Sequence, residues 1–252
     1  MKNEHIKQLL NNFKQDNLSL DEAINNLNKL SYTDLGFAKI DHDRPKRKGV
    51  IEAVYCASKS SEAIAKIAKE MDHNDIFLGT RASKEHYDAV KKVCPDVRYN
   101  EIGKCLYWDK RKDLVKQGKI AVITAGTSDQ AVAEEAALTA DLLGSNVEKI
   151  YDVGVAGIHR LFDAKEKFED ANVIIAIAGM EGALPSVVSG LVNKIVIGVP
   201  TSVGYGTAFG GITPLLSMLN SCSPGLLVVN IDNGYGAAVA AHMINVMAMA
   251  HG

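Results

Sequence analysis

The second half of the chain alternates short apolar runs with segments of helical length. The apolar runs cover 119–124, 149–153, 172–178, 194–199 and 226–231. Strands that are apolar throughout and separated by helices are typical of a parallel sheet with helices on both faces. This half of the chain is therefore predicted to be an α/β domain with a parallel sheet.

The first half has a different pattern. Apolar residues at helical spacing predict two helices, over 6–13 and 20–30, that form a hairpin. A charged loop over 41–49 follows them. Beyond it, the pattern predicts a smaller α/β unit with a strand at 50–56, a helix at 61–71, a strand at 76–79 and a helix at 83–93. Because the composition then changes from lysine-rich to rich in Ala, Gly and Val, we expect two domains, 1–116 and 117–252.

Composition narrows the class of function. The 252 residues are 47% hydrophobic and 23% charged, which is typical of a globular protein and not of a disordered or fibrous chain. The formal net charge of -2 gives no electrostatic attraction to nucleic acid or to an anionic membrane. We therefore expect partners that are small molecules or further copies of the chain.

The cysteines and the apolar segments indicate a cytoplasmic protein. The four cysteines include no CxxC pair, which argues against a zinc site and against a disulfide framework. The polar N-terminus lacks the features of a secretory signal. The long apolar stretch at 236–250 contains His242 and Asn245 and is too short to span a bilayer, so it predicts a buried helix.

Chemistry is expected at the carboxyl ends of the strands, where parallel sheets bind their ligands. The segment 125–129 follows the first of these strands and starts a helix, so its backbone N–H groups are suited to holding a phosphate. Ser128 and Asp129 would also be found in an ordinary helix cap, which is the alternative. Asp129 would repel a phosphate unless it binds a ribose hydroxyl or a metal, so the segment favours a nucleotide.

Two further loops carry candidate residues. His159 and Arg160 place a titratable proton carrier beside a fixed cation, although such a pair is equally common on surfaces. A later loop contains four glycines, Gly204, Gly206, Gly210 and Gly211. They indicate a close approach of the backbone to a ligand or a mobile lid, and a flexible turn is the alternative.

Cys222 is a candidate nucleophile. It lies in a loop of small polar residues, 220–225, before the last strand, and we expect this loop at the carboxyl edge with the others. Most single cysteines are buried apolar residues, so packing is the alternative. A loop position keeps the sulfur accessible, which a nucleophile requires.

These motifs resemble a known family. Residues 118–250 are similar to the N5-carboxyaminoimidazole ribonucleotide mutases of purine synthesis. The Gly-Ser-x-Ser-Asp phosphate loop of that family is matched by 125–129, its Ser-Ala-His-Arg segment by 157–160, and its Gly-Ala-Ala-His-Leu-Pro loop by a shortened 180–185. The resemblance implies a flavodoxin-like three-layer C-terminal domain with a parallel sheet, preceded by a smaller α/β N-terminal domain.

Departures from that family point to a related one. The first Ser of the phosphate loop is Gly126, the His of the later loop is lost, and Glu181 and Cys222 are present. Nearly the whole chain resembles the pyridinium-3,5-biscarboxylic acid mononucleotide synthases, which begin the synthesis of the nickel-pincer cofactor of lactate racemase. That family carboxylates C5 of the pyridinium ring of nicotinic acid adenine dinucleotide and cleaves its pyrophosphate, releasing AMP.

The resemblance implies a role for each candidate residue. Cys222 is expected to add to C4 of the ring, and Asp129, Glu181 or His159 to remove the C5 proton. Mg2+ is the expected cofactor, with Glu181 as a ligand, and no organic cofactor is implied. The residues expected to bind the substrate are Gly126, Thr127, Ser128, Arg160, Gly179, Gly182, Gly204, Gly206, Gly210 and Gly211.

The resemblance also implies partners. The expected substrates are nicotinic acid adenine dinucleotide and CO2 or bicarbonate, and the expected assembly is a homo-octamer without nucleic acid or membrane. Asp41, Arg44 and Lys59 are first-domain candidates for reaching the active site of a neighbouring copy. Two alternatives remain. A carboxylase or mutase of aminoimidazole ribonucleotide is opposed by the missing loop His and the additional first domain, and the other alternative is a non-catalytic nucleotide sensor.

Overall fold

Two sheets and a short strand pair organise the chain. The computed structural model describes residues 2–29, 32–41 and 49–250. The α-helices in these ranges are α1 (Lys2–Lys14), α2 (Leu20–Lys29), α3 (Ser61–Met71), α4 (Lys84–Lys91), α5 (Gln130–Leu143), α6 (Ile158–Asp163), α7 (Leu184–Leu191), α8 (Ile212–Leu219) and α9 (Gly234–Ala250). The strands are β1 (Tyr32–Asp34), β2 (Lys39–Asp41), β3 (Ala53–Tyr55), β4 (Ile76–Thr80), β5 (Arg98–Asn100), β6 (Cys105–Asp109), β7 (Gln117–Thr124), β8 (Ser145–Ile150), β9 (Val173–Ala178), β10 (Ile195–Pro200) and β11 (Leu226–Val228).

The C-terminal part of the chain forms the five-stranded sheet. Its strands are all parallel and lie in the order β11-β10-β9-β7-β8. When the strands are numbered from β7 onward, this is the order 2-1-3-4-5 of flavodoxin-like folds, in which ligands bind where the strand order reverses. Here that point lies between β7 and β9. The predicted α/β fold with a flavodoxin-like parallel sheet is confirmed.

Side chains of this sheet alternate between two apolar faces. In β7, Ile120 and Val122 pack against α5 and α9, whereas Ala121 and Ile123 pack on the side of α6, α7 and α8. Because helices cover both faces, neither set of side chains meets water. This explains why the central strands are continuous apolar runs in the sequence.

The N-terminal part holds a mixed four-stranded sheet in the order β3-β4-β6-β5. The β3–β4 pair is parallel, and the other two pairs are antiparallel. Helices α3 and α4 start where the hydroxyls of Ser60 and Ser83 accept hydrogen bonds from the first helical turn. In the core, Phe77 stacks on Trp108 with the ring centroids 4.3 Å apart. The predicted smaller α/β unit is therefore confirmed.

The helices α1 and α2 contact each other and form the predicted hairpin. The second helix is preceded by Ser19, whose backbone N–H and hydroxyl donate to Glu22 Oε2 at 2.9 and 2.7 Å. The Glu22 backbone N–H donates back to the Ser19 hydroxyl at 3.3 Å. This reciprocal cap follows from the Ser-x-x-Glu spacing.

Several strands differ from the predicted pattern. The apolar pattern misses β1, β2 and β5, which are only three residues long, and the neighbouring β6. The strand expected at 149–153 is β8, which ends at Ile150 because Asp152 has a left-handed backbone, with φ of 60°, that turns the chain. The strand expected at 226–231 ends at Val228. Most of the predicted charged loop, 42–48, lies outside the described residues.

The two parts of the chain contact each other along α5. Leu78 of β4 packs with Leu142 of α5. Two adjacent carboxylates of α5 also receive donors from the N-terminal sheet and its loops. Asn100 Nδ2 donates to Glu134 Oε2 at 2.9 Å. Arg81 Nε donates to Glu135 Oε1 at 3.2 Å. Buried carboxylates need such partners, so these contacts fix the N-terminal sheet against α5.

The long apolar helix α9 packs on the parallel sheet. It has 17 residues and carries the buried Asn245, whose amide donates to the Gln117 carbonyl at 2.9 Å and to Ser145 Oγ at 3.1 Å. The buried helix predicted here is therefore present. Within the described ranges, no helix combines the length and the apolar character needed to cross a bilayer.

Replacing Gly118 with alanine is expected to destabilise the C-terminal domain. Its φ of +54° is left-handed, and an added Cβ would lie 2.0 Å from Asn245 Oδ1 and 2.7 Å from Asn172 Nδ2. We expect collision and backbone strain together to lower the free energy of unfolding by roughly 3 kcal/mol, measured by urea denaturation.

The matched control is Gly225→Ala. Gly225 also has a left-handed φ, +86°, but an added Cβ would meet nothing nearer than the Lys194 carbonyl oxygen at 3.6 Å. We expect this variant to lose only about 1 kcal/mol. Equal losses in the two variants would contradict the collision at Gly118.

Candidate active site

A cleft of about 320 Å³ opens at the carboxyl edge of the parallel sheet. The loops that follow β7, β8, β9 and β10 form its walls. The residues that line it are Ala125, Gly126, Ser128, Asp129, Asp152, Gly154, Val155, Ala156, Arg160, Ala178, Gly179, Met180, Glu181, Ala183, Leu184 and Val203. The cleft thus lies where open parallel sheets of this strand order bind their ligands.

Asp129 is the buried charged residue of the cleft, with 3% of its surface exposed. Its Oδ1 accepts a hydrogen bond from Thr201 Oγ1 at 2.7 Å. Its Oδ2 accepts one from the backbone N–H of Gly126 at 3.0 Å. The carboxylate therefore caps its own loop, as the helix-cap alternative expected, and also forms part of the cleft wall.

Burial raises the pKa of Asp129 above its ordinary value. Hydrogen bonds from Thr201 and from the backbone N–H groups of Gly126 and Gly179 oppose this rise, whereas the nearby carboxylate of Asp232 adds to it. With a raised pKa, Asp129 is a stronger base than an exposed aspartate. It loses its charge as the pH falls through that raised pKa, so proton abstraction by Asp129 would fail at a higher pH than for an ordinary aspartate.

Arg160 supplies the positive charge of the cleft. Its Nη1 donates to Asp152 Oδ2 at 2.6 Å. Asp152 is held in turn, because its backbone N–H donates to Thr124 Oγ1 at 3.1 Å. The guanidinium is therefore fixed at the cleft wall, where its remaining N–H groups are suited to binding a phosphate.

The loop after β9 places Glu181, whose side chain is exposed, at the wall of the cleft. Gly179, two residues earlier, has no room for a side chain. An added Cβ would lie 2.3 Å from the Val203 carbonyl oxygen and 2.6 Å from Thr201 Oγ1. This glycine lets the loops after β9 and β10 approach each other, which brings Thr201 within reach of Asp129.

The structure brings some of the predicted site residues together and leaves others outside the cleft. The residues inside it are Gly126, Ser128, Asp129, Arg160, Gly179 and Glu181. Thr127 and Gly182 are adjacent in sequence to lining residues but do not themselves line the cleft. His159 is exposed on α6 and does not line the cleft. The chemical roles of all these residues stay predictions.

The glycine-rich loop borders the cleft through Val203, but its four glycines do not line it. Gly204 approaches Ala208, whose Cβ would be 2.5 Å from an added Cβ, and Gly211 packs against Ile231. Gly206 and Gly210 have left-handed φ angles and face open space. Their predicted contact with substrate therefore depends on a ligand that extends beyond the cleft.

The predicted place of Cys222 is wrong. The loop 220–225 follows α8 and leads into β11, so it runs to the amino edge of the sheet, where the Gly225 carbonyl accepts from the Val196 N–H at 3.0 Å. In a parallel sheet, a loop that leads into a strand ends at the edge opposite to the loops that leave the strands. Cys222 is therefore absent from the cleft of its own chain.

Two hydrogen bonds hold this loop on α7. Ser186 Oγ donates to Ser221 Oγ at 2.8 Å, and Ser189 Oγ donates to the Pro224 carbonyl at 3.0 Å. Both anchors lie within two residues of Cys222. The loop is therefore fixed against the outer helix layer.

Cys222 is nevertheless the exposed cysteine among the four, all of which lie in the described ranges. Burial raises the pKa of the Cys56 thiol to about 12 and that of Cys94 to about 11. Burial also raises the pKa of Cys105. Because a nucleophilic thiol must be accessible and ionised, these three are unsuited to the role. Cys222 does not occupy a core position, contrary to the packing alternative.

Sequence reasoning missed Thr201 and Asp152. Thr201 is fully buried and directly follows β10, and Asp152 lies two residues beyond β8. Asp152 lies inside the apolar run predicted at 149–153, and Thr201 follows the run predicted at 194–199 after Pro200. The available signal was a polar residue at the carboxyl end of an apolar run, but the pattern does not show that these residues contact Arg160 and Asp129.

The first-domain candidates make contacts within their own domain. The Asp41 backbone N–H donates to Glu52 Oε2 at 2.7 Å, and Lys59 Nζ donates to the Tyr55 carbonyl at 2.5 Å. Arg44 lies outside the described residues. A role of these residues in a neighbouring active site stays a prediction.

The cleft offers carboxylates to a metal ion without forming a complete protein cage. In the part of the chain that the structure describes, no three His, Cys, Asp or Glu side chains are grouped to hold a metal. Asp152 and Glu181 nevertheless line the same cleft. Mg2+ is commonly held by one or two carboxylates together with water and substrate phosphates. The donor set therefore fits Mg2+ that binds with a phosphorylated substrate.

Comparison with known proteins identifies relatives of both domains. Residues 32–110 match the LarB/PurE-like N-terminal domain, and residues 119–251 match the AIR carboxylase domain. The chain is 43% identical over 251 residues to the uncharacterized protein MJ0165 of Methanocaldococcus jannaschii, across 96% of this chain and 97% of that protein. It is 38% identical over 127 residues to the N5-carboxyaminoimidazole ribonucleotide mutase of the same organism, across 48% of this chain and 75% of the relative.

A solved structure adds a weaker likeness. The crystal structure of a single-residue variant of Treponema denticola PurE2 aligns with 54% of this chain and 92% of that chain, with 18% identity and a TM-score of 0.40, which is too low to support an argument. The two matched domains and the relative of nearly equal length confirm the resemblance read from the motifs. The chain therefore belongs to the LarB/PurE-like family with an AIR carboxylase domain, and its function is related to those of carboxylases and mutases.

Proposed function

We propose that this protein carboxylates C5 of the pyridinium ring of nicotinic acid adenine dinucleotide and hydrolyses its pyrophosphate, giving pyridinium-3,5-biscarboxylic acid mononucleotide and AMP. The observation that carries the proposal is the exposed thiol of Cys222 in a chain whose other cysteines are buried. An electron-rich aminoimidazole ring attacks CO2 without a nucleophile. A pyridinium ring is electron-poor, and its C5 attacks CO2 only after a nucleophile has added to the ring.

The thiolate of Cys222 would make C5 reactive in four balanced steps. Addition at C4 forms a C–S bond and gives a neutral dihydropyridine. C5 is then the β-carbon of an enamine, and its electron pair attacks the carbon of CO2. Loss of the C5 proton to a base restores the enamine, and expulsion of the thiolate from C4 restores the aromatic ring. The ring is neither oxidised nor reduced overall, so the sequence of steps needs no redox cofactor.

Asp129 is the proposed acceptor of the C5 proton. It lines the cleft, and burial raises its pKa, which makes it a better base at neutral pH than an exposed carboxylate. Glu181 is exposed, and His159 lies outside the cleft lining. Both are therefore less suited to a proton transfer that must be sheltered from water.

The remaining cleft residues are proposed to bind the phosphates. Arg160 is fixed at the wall with N–H groups that can bind phosphate oxygens, and Ser128 adds a hydroxyl at the start of α5. Glu181 would hold Mg2+ together with oxygens of the substrate. When bound, Mg2+ supplies charge neutralisation on the pyrophosphate.

The thiol is proposed to come from a neighbouring copy of the chain. Two hydrogen bonds to α7 hold the Cys222 loop away from its own cleft. Beside this loop, α8 exposes Ile212, Leu216 and Leu219, whose spacing places them on one side of the helix. Exposed apolar faces of this kind mark subunit contacts. The proposal therefore includes a homo-oligomer, and the family resemblance gives an octamer as its expected size.

A carboxylase or mutase of aminoimidazole ribonucleotide is the second candidate. It is favoured by the 38% identity to the N5-carboxyaminoimidazole ribonucleotide mutase. It is opposed by the loss of the loop His and by Cys222, for which that chemistry has no use. The two candidates share the fold and the cleft, so they differ chiefly in the ring that is carboxylated.

A product assay by mass spectrometry tests the proposal. The protein is incubated with nicotinic acid adenine dinucleotide, Mg2+ and isotopically labelled bicarbonate, and in parallel with aminoimidazole ribonucleotide. A dicarboxylated mononucleotide that carries the label, together with AMP, is the expected result. Label in the aminoimidazole product alone would favour the second candidate, and dinucleotide binding without any labelled product would favour a nucleotide sensor.

A further inference from the structure

We propose that Arg81, from the N-terminal domain, is a positioning residue that sets the geometry of the Asp129 carboxylate in the C-terminal cleft. The inference rests on the proposed function, because it takes Asp129 as the proton acceptor. It assigns the N-terminal domain a direct part in the active site of the same chain. Three consecutive contacts carry it.

The first contact fixes the guanidinium of Arg81 between two elements of the C-terminal domain. Arg81 directly follows β4 and has a left-handed φ of 54°. Its Nε donates to Glu135 Oε1 at 3.2 Å, and its Nη2 donates to the backbone carbonyl of Asp232. Glu135 is buried and also accepts from the Tyr235 N–H at 3.2 Å. The fork of Arg81 therefore joins α5 to the loop before α9.

The second contact is between Asp232 and the segment that follows β10. The Asp232 backbone N–H donates to the Pro200 carbonyl at 2.8 Å. Asp232 Oδ1 accepts from the Ser202 N–H at 2.8 Å. Asp232 thus holds the residues on both sides of Thr201, while Arg81 holds Asp232. Asp232 itself has a left-handed φ of 55°, so its backbone conformation depends on the contacts around it.

The third contact reaches the cleft. Thr201 is fully buried, and its backbone N–H donates to the Ala178 carbonyl at 3.0 Å. Its hydroxyl donates to Asp129 Oδ1 at 2.7 Å. The direction of this hydroxyl depends on the backbone at 200–202, which Asp232 holds. The position of Arg81 is therefore transmitted to Asp129 through fixed hydrogen bonds and without direct contact.

Loss of the Arg81 fork would make Asp129 harder to ionise. The Thr201 hydrogen bond stabilises the charged carboxylate against burial, so weakening it raises the pKa of Asp129 further. The other charged groups around this carboxylate are Asp232, Asp152, Glu181 and Arg160. Arg81 contacts Glu135 and the Asp232 backbone and not Asp129 itself, so the expected rise comes from the geometry of the Thr201 hydrogen bond. A smaller fraction of Asp129 is then ionised at a given pH.

The experiment compares Arg81→Met with Arg111→Met. Arg111 also joins the two domains, because its Nη2 donates to the Leu142 carbonyl at 2.7 Å, but it has no contact with the 200–202 segment. The readout is an infrared titration of the protonated carboxyl band of Asp129, assigned by its absence in Asp129→Asn. We expect the titration midpoint to rise by about one pH unit in Arg81→Met and to stay at the wild-type value in Arg111→Met.

Two further variants separate positioning from charge and from misfolding. Arg81→Lys keeps the charge without the fork, and we expect it to titrate near Arg81→Met. The double variant Arg81→Met/Glu135→Gln removes the buried carboxylate that Arg81→Met leaves unpaired, and it should show the same raised midpoint in a folded protein. Full recovery of the wild-type midpoint in Arg81→Lys would overturn the proposal, because charge alone would then be sufficient.

The result is independent of the proposed reaction. The infrared titration needs no turnover, so inactivity of the wild-type protein on the dinucleotide would contradict the proposed function and leave the positioning test intact. With an active protein, the acid limb of kcat/KM should move to higher pH together with the infrared midpoint. An unchanged midpoint in Arg81→Met would contradict the positioning role even if the activity fell.

Discussion

Replacing Cys222 with alanine is expected to abolish the proposed carboxylation of the pyridinium ring. In the proposed mechanism, C5 becomes the β-carbon of an enamine only after the thiolate has added to C4. The buried Cys56, Cys94 and Cys105 cannot substitute, because their thiols are inaccessible and burial raises their pKa values. We expect the rate of label incorporation from bicarbonate to fall by about 1,000-fold or more.

Binding of the dinucleotide should survive this change. Cys222 lies outside the cleft of its own chain. In the proposed mechanism it adds to the ring only after the substrate has bound. We expect the dissociation constant, measured by calorimetry, to stay within about twofold of wild type, since a side chain that acts only in the chemical step affects kcat rather than binding.

The matched control for this prediction is Ser223→Ala. It changes the same loop but keeps the thiol, and the Ser223 backbone N–H can still donate to Ser221 Oγ, at 3.2 Å in the structure. Cys222→Ser should be as inactive as Cys222→Ala, because a hydroxyl is far less ionised than a thiol at neutral pH. Retained turnover in either cysteine variant would disprove the thiolate adduct.

If the chain assembles as proposed, mixed oligomers of two inactive variants are expected to regain activity. The partners are Asp129→Asn, which lacks the proposed base, and Cys222→Ala, which lacks the nucleophile. If each active site combines Asp129 of one copy with Cys222 of another, random mixing gives about a quarter of the sites both intact residues. The oligomers are co-expressed and purified through a different tag on each variant. We expect them to recover roughly a quarter of the wild-type carboxylation rate.

The same mixing experiment decides which copy supplies the thiol. If Cys222 served the cleft of its own chain, every site in the hybrid would lack one of the two residues and no activity would return. A hybrid of Cys222→Ala with Cys222→Ser is the negative control, because all of its sites lack the thiol. Activity of the mixed oligomer at the level of this control would contradict transfer of Cys222 between copies.

The sequence by itself determined the sheet and much of the cleft wall. The runs that became β7, β9 and β10 are apolar throughout because helices cover both faces of a parallel sheet, so their pattern is local and readable. Residues directly after such strands must lie at the carboxyl edge. This is why the segment 125–129 with Asp129 could be expected at that edge from its position, whereas Glu181 was identified through the family resemblance.

Only the tertiary structure decided which side chains meet. Asp129 bonds to Thr201, which lies 72 positions further along the chain, and Arg81 bonds to Asp232, 151 positions away. These pairs depend on which strands are neighbours in the sheet and on how the N-terminal sheet packs against α5. No pattern within a short window carries that information, because a side chain's own sequence neighbours do not fix its distant partners.

The place of Cys222 shows the same limit. Its residue type and its loop position indicated an accessible thiol, and the thiol is exposed. Cys222 lies at the amino edge of the sheet because of the direction of α8 and the parallel pairing of β11 with β10. Both are properties of the folded chain. Accessibility was therefore predictable from local composition, whereas proximity to the cleft was decided by the three-dimensional path of the backbone.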